Sequence, residues 1–286
     1  MGKHVFPTEK YALMKEKALK EKIATEDEFI ETELPSDQDI ETVHTKTHIQ
    51  RLKKLSQSPL GMLNGENPIN QSVYKAAKLS CDGTYKACLL ALKNGIGMNL
   101  SGGFHHAFPG HEEGFCYFND IGYAVKKLLK QGKIKKAMVI DCDLHQGNGT
   151  AVIFQNSPNV FTFSIHQEDN YPVKQKSSYD IGLYSYENIG DEKYLKELQI
   201  LPELIKKSKP ELIVYEAGAD PYENDQLGSF KLTKEGLMRR DEYIIGLARK
   251  NKIPIAICLG GGYAYNVEDT VAIHVNTMKI VKKFAK

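Results

Sequence analysis

Asp141, Asp143 and His145 are the residues of this sequence best placed to hold a metal ion, because they alternate at the end of the apolar segment Ala137–Cys142. Side chains at alternate positions of an extended strand point to the same face, so these three share a side. Unpaired buried carboxylates are strongly disfavoured, and a bound cation is one remedy. A polar strand end that caps the next helix is the alternative interpretation. A metal site is therefore our first hypothesis, with Asp220 as a further ligand; mixed His and carboxylate ligation suits Zn²⁺ or Fe²⁺.

The tandem histidines His105 and His106 follow a Gly-Gly turn at the end of the apolar segment Gly95–Leu100. Two surface-loop histidines are the alternative, which the strand end and the turn disfavour. An imidazole with a pKa near neutrality can take a proton from water and return one to a leaving amine. Asp141 is available to set the tautomer and basicity of such a ring. The pair therefore predicts acid–base chemistry beside the metal.

Tyr263 follows three consecutive glycines, Gly260 to Gly262. A plain loop and a phosphate cradle are the alternatives, although the segment lacks the Lys and the Ser or Thr of a P-loop. Glycines permit backbone angles that other residues avoid. Such a turn could hold the Tyr263 hydroxyl where it donates to a developing oxyanion.

Short apolar segments alternate with helical patterns along most of the chain, which indicates an α/β fold with a mostly parallel sheet. The predicted strands are Gly95–Leu100, Ala137–Cys142, Val160–Ile165, Leu212–Ala217 and Ile253–Leu259. The predicted helices cover 8–22, 71–94, Asp120–Gln131, Asn148–Gln155, Asp191–Lys207 (kinked or divided at Pro202) and Thr233–Lys250. Ligands bind outside the carboxyl ends of strands in open α/β sheets, so polar groups after five strands predict one composite site. We find no repeat or convincing linker, and one domain over 1–286 is predicted.

Composition and charge are those of an ordinary soluble globular protein. The 286 residues are 41% hydrophobic and 26% charged, with a formal net charge of +2. This balance predicts neither nucleic-acid nor membrane binding by bulk electrostatics, and no apolar run approaches the roughly 20 residues that span a bilayer. Five cysteines without a CxxC pair suggest buried free thiols in a reducing compartment. The cytoplasm is the expected location, with the nucleus as an alternative in a eukaryote.

Five motifs, in the same order along the chain, make this sequence resemble the histone deacetylase superfamily. The motifs are Ser101-Gly-Gly-Phe-His-His-Ala107, Gly114-Phe-Cys-Tyr-Phe-Asn-Asp120, Asp141-Cys-Asp-Leu-His-Gln-Gly-Asn-Gly149, Gly218-Ala-Asp-Pro-Tyr-Glu-Asn-Asp-Gln-Leu-Gly228 and Gly260-Gly-Gly-Tyr263. The resemblance implies the arginase/deacetylase fold, a single-domain three-layer α/β/α architecture. The first and third motifs look closer to the class IV deacetylases and their bacterial relatives than to class I.

The resemblance also implies a set of metal ligands. Asp143, His145 and Asp220 would bind the catalytic metal, which is usually zinc in the family, with iron as the alternative. Asp141 would then lie outside the zinc ligands. A structural potassium or sodium ion would use Asp141, Asp143, His145, Ser164 and the carbonyl of Ile165.

Further roles follow from the same resemblance. His106 would be the general base that later protonates the amine, and His105 its electrostatic or acid partner, oriented by Asp141. Tyr263 would bind the oxyanion. Gly114 and Phe115 would line a tunnel for an acyl-lysine-like chain, although Phe115 could also be ordinary core.

Two features depart from the family pattern. The position that orients His106 is an Asp in many relatives and is Asn148 here, which predicts a less basic His106. The chain also begins almost at its His4-Val-Phe-Pro7 motif, before which relatives carry a short strand and loop. A short protein and a truncated sequence both fit this start. The structure of the rim of the active-site entrance is therefore not predicted.

The function predicted from these residues is metal-dependent hydrolysis of an N-acyl amide. The expected substrate is an acyl-lysine of a protein or an acylated small amine. Acetylpolyamine amidohydrolase is the alternative within the fold, and a non-catalytic protein that keeps the fold is the alternative from another class. An arginase-like enzyme with two manganese ions would need more ligands than these strand ends supply. Acyl length and oligomeric state are left open.

Overall fold

The computed structural model describes residues 4–285, in which six strands form one parallel sheet in the order β1-β6-β5-β2-β3-β4. The strands are β1 Ile96–Asn99, β2 Ala137–Asp141, β3 Val160–Gln167, β4 Tyr179–Leu183, β5 Leu212–Glu216 and β6 Ile255–Cys258. The α-helices are α1 Lys10–Lys20, α2 Asp37–Ile40, α3 Lys46–Ser56, α4 Gln71–Asn94, α5 Asp120–Lys130, α6 Asn148–Phe154, α7 Asp191–Glu197, α8 Leu201–Ser208, α9 Lys234–Lys250 and α10 Val267–Phe284. The ends of the predicted domain, residues 1–3 and 286, lie outside the described residues.

The sheet is buried on both faces, and strand β2 shows how its sequence achieves this. Met138 and Ile140 belong to a core that contains side chains of α1, α9 and α10, whereas Ala137 and Val139 belong to a second core with α3, α4 and α5. Alternate residues of a strand point to opposite faces, so a continuously apolar strand contributes side chains to both cores. The result is the predicted three-layer α/β/α architecture.

All five predicted strands are present, and the predicted break at Pro202 is confirmed. A 3₁₀ turn at Leu198–Ile200 separates α7 from α8, and Pro202 lies in the first turn of α8, where its missing N–H costs nothing. The edge strand β4 was not predicted, because its first two residues, Tyr179 and Asp180, are exposed and do not form an apolar run. Helices α3 and α10 were not predicted either. The signal for α10 was Asn266, whose side chain accepts from Glu268 N as an N-cap.

Because neighbouring strands are parallel and in register, their carboxyl ends meet at one edge of the sheet. The loops that follow β1, β2, β5 and β6 at this edge carry the tandem histidines, Asp143, Asp220 and Tyr263. We call it the carboxyl edge. Among the helices of residues 4–285, none combines the length and apolarity needed to cross a bilayer.

Candidate metal centre and active site

Asp143, His145 and Asp220 form a buried cluster at the carboxyl edge, and one ligand atom from each lies within 4.8 Å of the others. His145 Nδ1 is 3.2 Å from Asp143 Oδ1 and 3.0 Å from Asp220 Oδ2. Backbone N–H groups hold both carboxylates: His145 N donates to Asp143 Oδ1 at 2.9 Å and Leu144 N to Asp220 Oδ1 at 2.9 Å. One imidazole and two carboxylates on three fixed backbone positions are a ligand set that suits zinc or iron.

The electric field of this cluster favours positive charge. Burial opposes the protonated form of His145, but the hydrogen bonds and the negative charges of Asp143 and Asp220 outweigh it and raise the pKa of His145 to about 10. The same field would attract a divalent cation, which would displace that proton.

Arg240 of α9, which sequence reasoning did not find, lies fully buried beneath the cluster. Its Nη1 donates to the carbonyl of Cys142 at 3.2 Å and to that of Gly218 at 2.7 Å. Cys142 immediately precedes Asp143, and Gly218 precedes Asp220 by two residues. Asp241 compensates the guanidinium charge, with Nη2 2.8 Å from Asp241 Oδ1. Arg240 therefore ties together the two segments that supply the ligands.

His105 and His106 lie beside the metal cluster with their Nε2 atoms 3.1 Å apart. His105 Nδ1 is 2.7 Å from Asp141 Oδ2, and both side chains are buried. Asp141 thus contacts the histidine pair and, as expected, is not one of the three clustered ligands. A protonated His105 donates to Asp141 through Nδ1, and its Nε2–H lies beside the basic Nε2 atom of His106.

Asn148 contacts the other side of the His106 ring. Its Oδ1 is 2.8 Å from His106 Nδ1, and its Nδ2 donates to Glu113 Oε1 at 2.7 Å. Because Glu113 is a carboxylate and accepts only, the Asn148 oxygen must face His106, which places the His106 proton on Nδ1. Nε2 is then left as the basic atom. Glu113 was not predicted, because it lies just before the Gly114–Asp120 motif and belongs to none of the five motifs.

The environments of the two histidines move their pKa values in opposite directions. Burial opposes the charged form of His105, but the charges of Asp141 and Asp143 and the hydrogen bond to Asp141 raise its pKa to about 9. Burial and the positive charges of His105 and His145 lower the pKa of His106 well below its usual value. Divergence of this kind assigns acid and base roles within a pair. His105 is the charged member and His106 the neutral one.

Residues at the start of α5 hold the loop that carries the tandem histidines. Asn119 Nδ2 donates to the carbonyls of His105, at 3.2 Å, and Ala107, at 3.3 Å, on either side of His106. Asp120 accepts from the backbone N–H groups of Gly103 at 3.1 Å and Phe104 at 2.8 Å. The end of the Gly114–Asp120 motif therefore holds the backbone of the Ser101–Ala107 motif in place.

Buried charged groups hold the glycine turn before Tyr263. Lys10 Nζ donates to the Gly261 carbonyl, and Asp225 Oδ2 accepts from Tyr263 N at 2.6 Å. Burial lowers the pKa of Lys10 to about 8 against the raising effect of nearby carboxylates, Asp220 first among them. Gly262 has φ +88°, which a residue with a side chain rarely adopts. Burial and the charges of Asp143 and Asp220 raise the pKa of Tyr263, so its hydroxyl stays protonated.

A cavity of about 170 Å³ leads to these groups and is lined by Glu66, His106, Gly114, Phe115, His145, Asn170, Tyr171, Leu227 and Tyr263. Gly114 is required because a Cβ there would lie 2.4 Å from His106 Cδ2. Phe115 also lines the cavity, and its role beside a substrate chain stays a prediction. The Tyr171 ring is a further wall, 5.2 Å from the ring of His106 between centroids. Tyr171 was not predicted, because it lies in a loop with no motif.

The structure places two of the predicted monovalent-cation residues next to each other. Asp141 and Ser164 are register partners on β2 and β3, which places them side by side. Ser164 Oγ, however, is 2.9 Å from His166 Nδ1. The potassium or sodium site stays a prediction.

Comparison with solved structures shows the fold. The crystal structure of the HDA15 HD domain superposes with a TM-score of 0.83 over 97% of this chain and 84% of that chain, at 22% sequence identity. The fold is thus the arginase/deacetylase fold predicted from the motifs. The sequence model of the histone deacetylase domain matches residues 4–278, and this chain belongs to the histone deacetylase family. Membership supports a deacetylase function.

Curated relatives agree with this assignment. An uncharacterized protein of Picosynechococcus is 35% identical over 95% of this chain and 90% of its own length. Histone deacetylase 2 of Arabidopsis thaliana is 27% identical over 84% of this chain and 64% of its own length. Histone deacetylase 8 of Xenopus tropicalis is 31% identical over 89% and 71%. Similarity to class IV in particular stays a prediction.

Proposed function

We propose that this chain is a metal-dependent deacetylase that hydrolyses the amide of an acyl-lysine side chain. The observation that carries the proposal is the buried Asp143–His145–Asp220 cluster beside a histidine pair with divergent pKa values. His106 and His145 line one cavity with Tyr263, so an extended side chain in that cavity would reach the base and one of the three ligands.

The donor set supports zinc, with iron as the alternative, because both accept mixed imidazole and carboxylate ligands. Asp143, His145 and Asp220 would hold the ion. When bound, such a metal polarises the acyl carbonyl and makes water a better nucleophile. Arg240 and the backbone N–H groups fix the ligands, so little reorganisation accompanies binding.

The histidine pair supplies the proton transfers. His106 Nε2 is neutral and takes the proton of the attacking water, and it returns a proton to the amine nitrogen as the C–N bond breaks. His105, held protonated by Asp141, lies next to His106 and stabilises negative charge on the reacting carbonyl. The Tyr263 hydroxyl, whose raised pKa keeps its proton, donates to the same oxyanion.

Acetylpolyamine hydrolysis is the second candidate, and one carboxylate at the entrance favours it. Glu66 is exposed, lines the cavity and accepts from Gly114 N at 3.0 Å. No ion pair involves Glu66 within residues 4–285, so its charge is available to a cationic substrate.

Metal analysis coupled to a substrate panel tests both candidates. We expect about one zinc or iron per chain, loss of that metal in Asp143→Ala, and turnover of an acetyl-lysine peptide. Asp27→Ala removes an exposed carboxylate that forms no ion pair within residues 4–285 and does not line the cavity; it is the matched control and should keep metal and activity. Faster turnover of an acetylated polyamine would favour the second candidate. A protein that binds neither metal, or that deacylates neither substrate when loaded, contradicts the proposal.

A further inference from the structure

Eleven basic side chains lie along the amino-terminal edge of the sheet, opposite the carboxyl edge. They come from the ends of α4, α5, α8 and α9 and the connections that lead into β1, β2, β5 and β6. They are Lys93, Lys130, Lys133, Lys135, Lys136, Lys206, Lys207, Lys209, Arg249, Lys250 and Lys252. The ten lysines are exposed and Arg249 is half-buried. We call this set the basic edge.

The basic edge is continuous, because its four connections precede four neighbouring strands in the order β1-β6-β5-β2. Backbone hydrogen bonds join adjacent connections: Ile255 N donates to Gly95 O at 3.1 Å, Ile213 N to Pro254 O at 2.9 Å, and Glu211 N to Lys136 O at 3.0 Å. Strands lie about 4.8 Å apart, so the four connections span roughly 15 Å.

The charge of the basic edge is largely uncompensated. None of the eleven side chains forms an ion pair with a carboxylate of residues 4–285, whereas many other lysines of the chain do. Glu211 is the one acidic residue in these connections, and its Oε2 accepts from Lys135 N at 2.7 Å. The eleven basic side chains and Glu211 together carry a formal charge of +10. Because the net charge of the whole chain is +2, the remaining residues carry −8.

Helix dipoles account for only part of this set. Basic residues in the last turn of a helix are stabilised by its negative end, which explains Lys130 and Lys250 among others. That effect fades beyond the last turn. Lys133, Lys135 and Lys136 lie after the end of α5, where the dipole gives no reason for three cations.

We propose that the basic edge binds the phosphate backbone of a nucleic acid. Lysines act as point charges toward phosphate, and duplex DNA presents one negative charge per about 1.7 Å of its axis. The four connections contain no aromatic side chain, which favours contact with the backbone over stacking on bases. The sequence predicts no such binding from the near-neutral net charge. That net charge, however, is the sum of +10 for the basic edge with Glu211 and −8 for the rest of the chain.

An acidic protein is the competing partner, and the apolar surface argues against it. Protein interfaces are centred on buried aromatic or aliphatic anchors. The exposed large apolar side chains of residues 4–285 include Leu63, Val173, Tyr186 and Tyr265, and none lies in the four connections.

Fluorescence anisotropy of a labelled 20-base-pair DNA duplex of arbitrary sequence, titrated with the full chain, tests the proposal. We expect binding at 50 mM salt that weakens about 10²-fold at 200 mM, the dependence for roughly four neutralised phosphates. The variant Lys135→Gln/Lys209→Asn/Lys252→Asn should weaken binding at least about tenfold at 50 mM salt and reduce the salt slope by about 2 to 3. Lys209 and Lys252 have φ of +50° and +57°, which Asn tolerates, so this variant should fold.

The matched control is Lys46→Gln/Lys54→Gln/Lys75→Gln, which removes the same charge from exposed lysines on α3 and α4. It should keep the affinity and the salt slope, and both triple variants should keep the hydrolytic activity. The proposal is overturned if the duplex does not bind at 50 mM salt or if the control weakens binding equally. Tighter binding of labelled polyglutamate than of the duplex would also overturn it, in favour of an acidic polypeptide.

Discussion

Glu113 fixes the orientation of Asn148, because its Oε1 accepts the Asn148 Nδ2–H at 2.7 Å. The amide oxygen is thereby directed at His106 Nδ1. The Glu113 carboxylate thus affects His106 through the neutral amide of Asn148.

This relay makes the effect of a charge at position 148 depend on position 113. We expect Asn148→Asp alone to lower kcat/KM for an acetyl-lysine peptide roughly tenfold, because two carboxylates would then face each other at hydrogen-bonding distance. Glu113→Gln in the same chain should restore most of the loss, since Gln can donate to the new carboxylate. The double-mutant cycle measures this coupling. Additive effects of the two changes would contradict the relay.

Removal of the base or of the oxyanion donor should reduce turnover without unfolding the protein. His106→Ala and Tyr263→Phe are each expected to lower kcat about 10²–10⁴-fold, the usual range for such groups. Tyr265→Phe is the matched control, because Tyr265 is 80% exposed, and it should keep the wild-type rate. Wild-type turnover by both site variants would refute the assigned roles.

Arg240→Lys should weaken metal binding, since an ammonium group cannot span the Cys142 and Gly218 carbonyls as the guanidinium does. We expect at least about a tenfold increase in the Kd for zinc, measured by competition with a chromophoric chelator, and a loss of stability in urea. Arg239→Lys changes the neighbouring, surface-exposed arginine and is the control. Equal zinc affinity in both variants would show that Arg240 does not support the metal ligands.

Buried neutral histidines, of which His44 and His48 lie outside the active site, should make the protein sensitive to mild acid. Burial lowers the pKa of His44 to about 3 and that of His48 to about 4, below the ordinary value of 6.5. Below pH 6.5 these histidines bind protons in the unfolded chain but stay neutral in the folded chain. The free energy of unfolding therefore falls with pH, by up to about 1.4 kcal/mol per pH unit for each histidine, until the folded pKa is reached.

Urea unfolding between pH 7.5 and 5 measures this loss. Below pH 6.5, His44→Gln should reduce the slope of unfolding free energy against pH by up to about 1.4 kcal/mol per unit. His111→Gln changes a half-exposed ring and should leave the slope as it is. Identical slopes in the two variants would show that His44 is not the group responsible.

The sequence predicted the strand ends well because each one joins an apolar run to a polar group. Asp143, His145 and Asp220 come together as expected, since parallel strands bring such ends to one edge. Groups outside that pattern were not predictable. Arg240 lies on a helix and approaches the metal segments from below, and its role depends on packing that local sequence does not encode.

Long-range contacts explain the other omissions. Lys10 resembles any lysine in a charged amphipathic helix, and only the tertiary structure buries it against Gly261. Strand β4 is an exposed edge and lacks the apolar run by which the other strands were recognised. Tertiary burial, which spacing does not report, decided both cases.

The bond from Lys10 to the glycine turn also has a consequence for biosynthesis. Its two residues are separated by 251 positions along the chain. During translation helix α1 is made before the glycine turn, and the bond can form only after the 251 positions that follow Lys10 have been synthesised. A nascent chain arrested before that turn lacks the Tyr263 hydroxyl that the proposed mechanism uses. Under that mechanism, hydrolytic competence is acquired only after the turn has been made, long after the first helix.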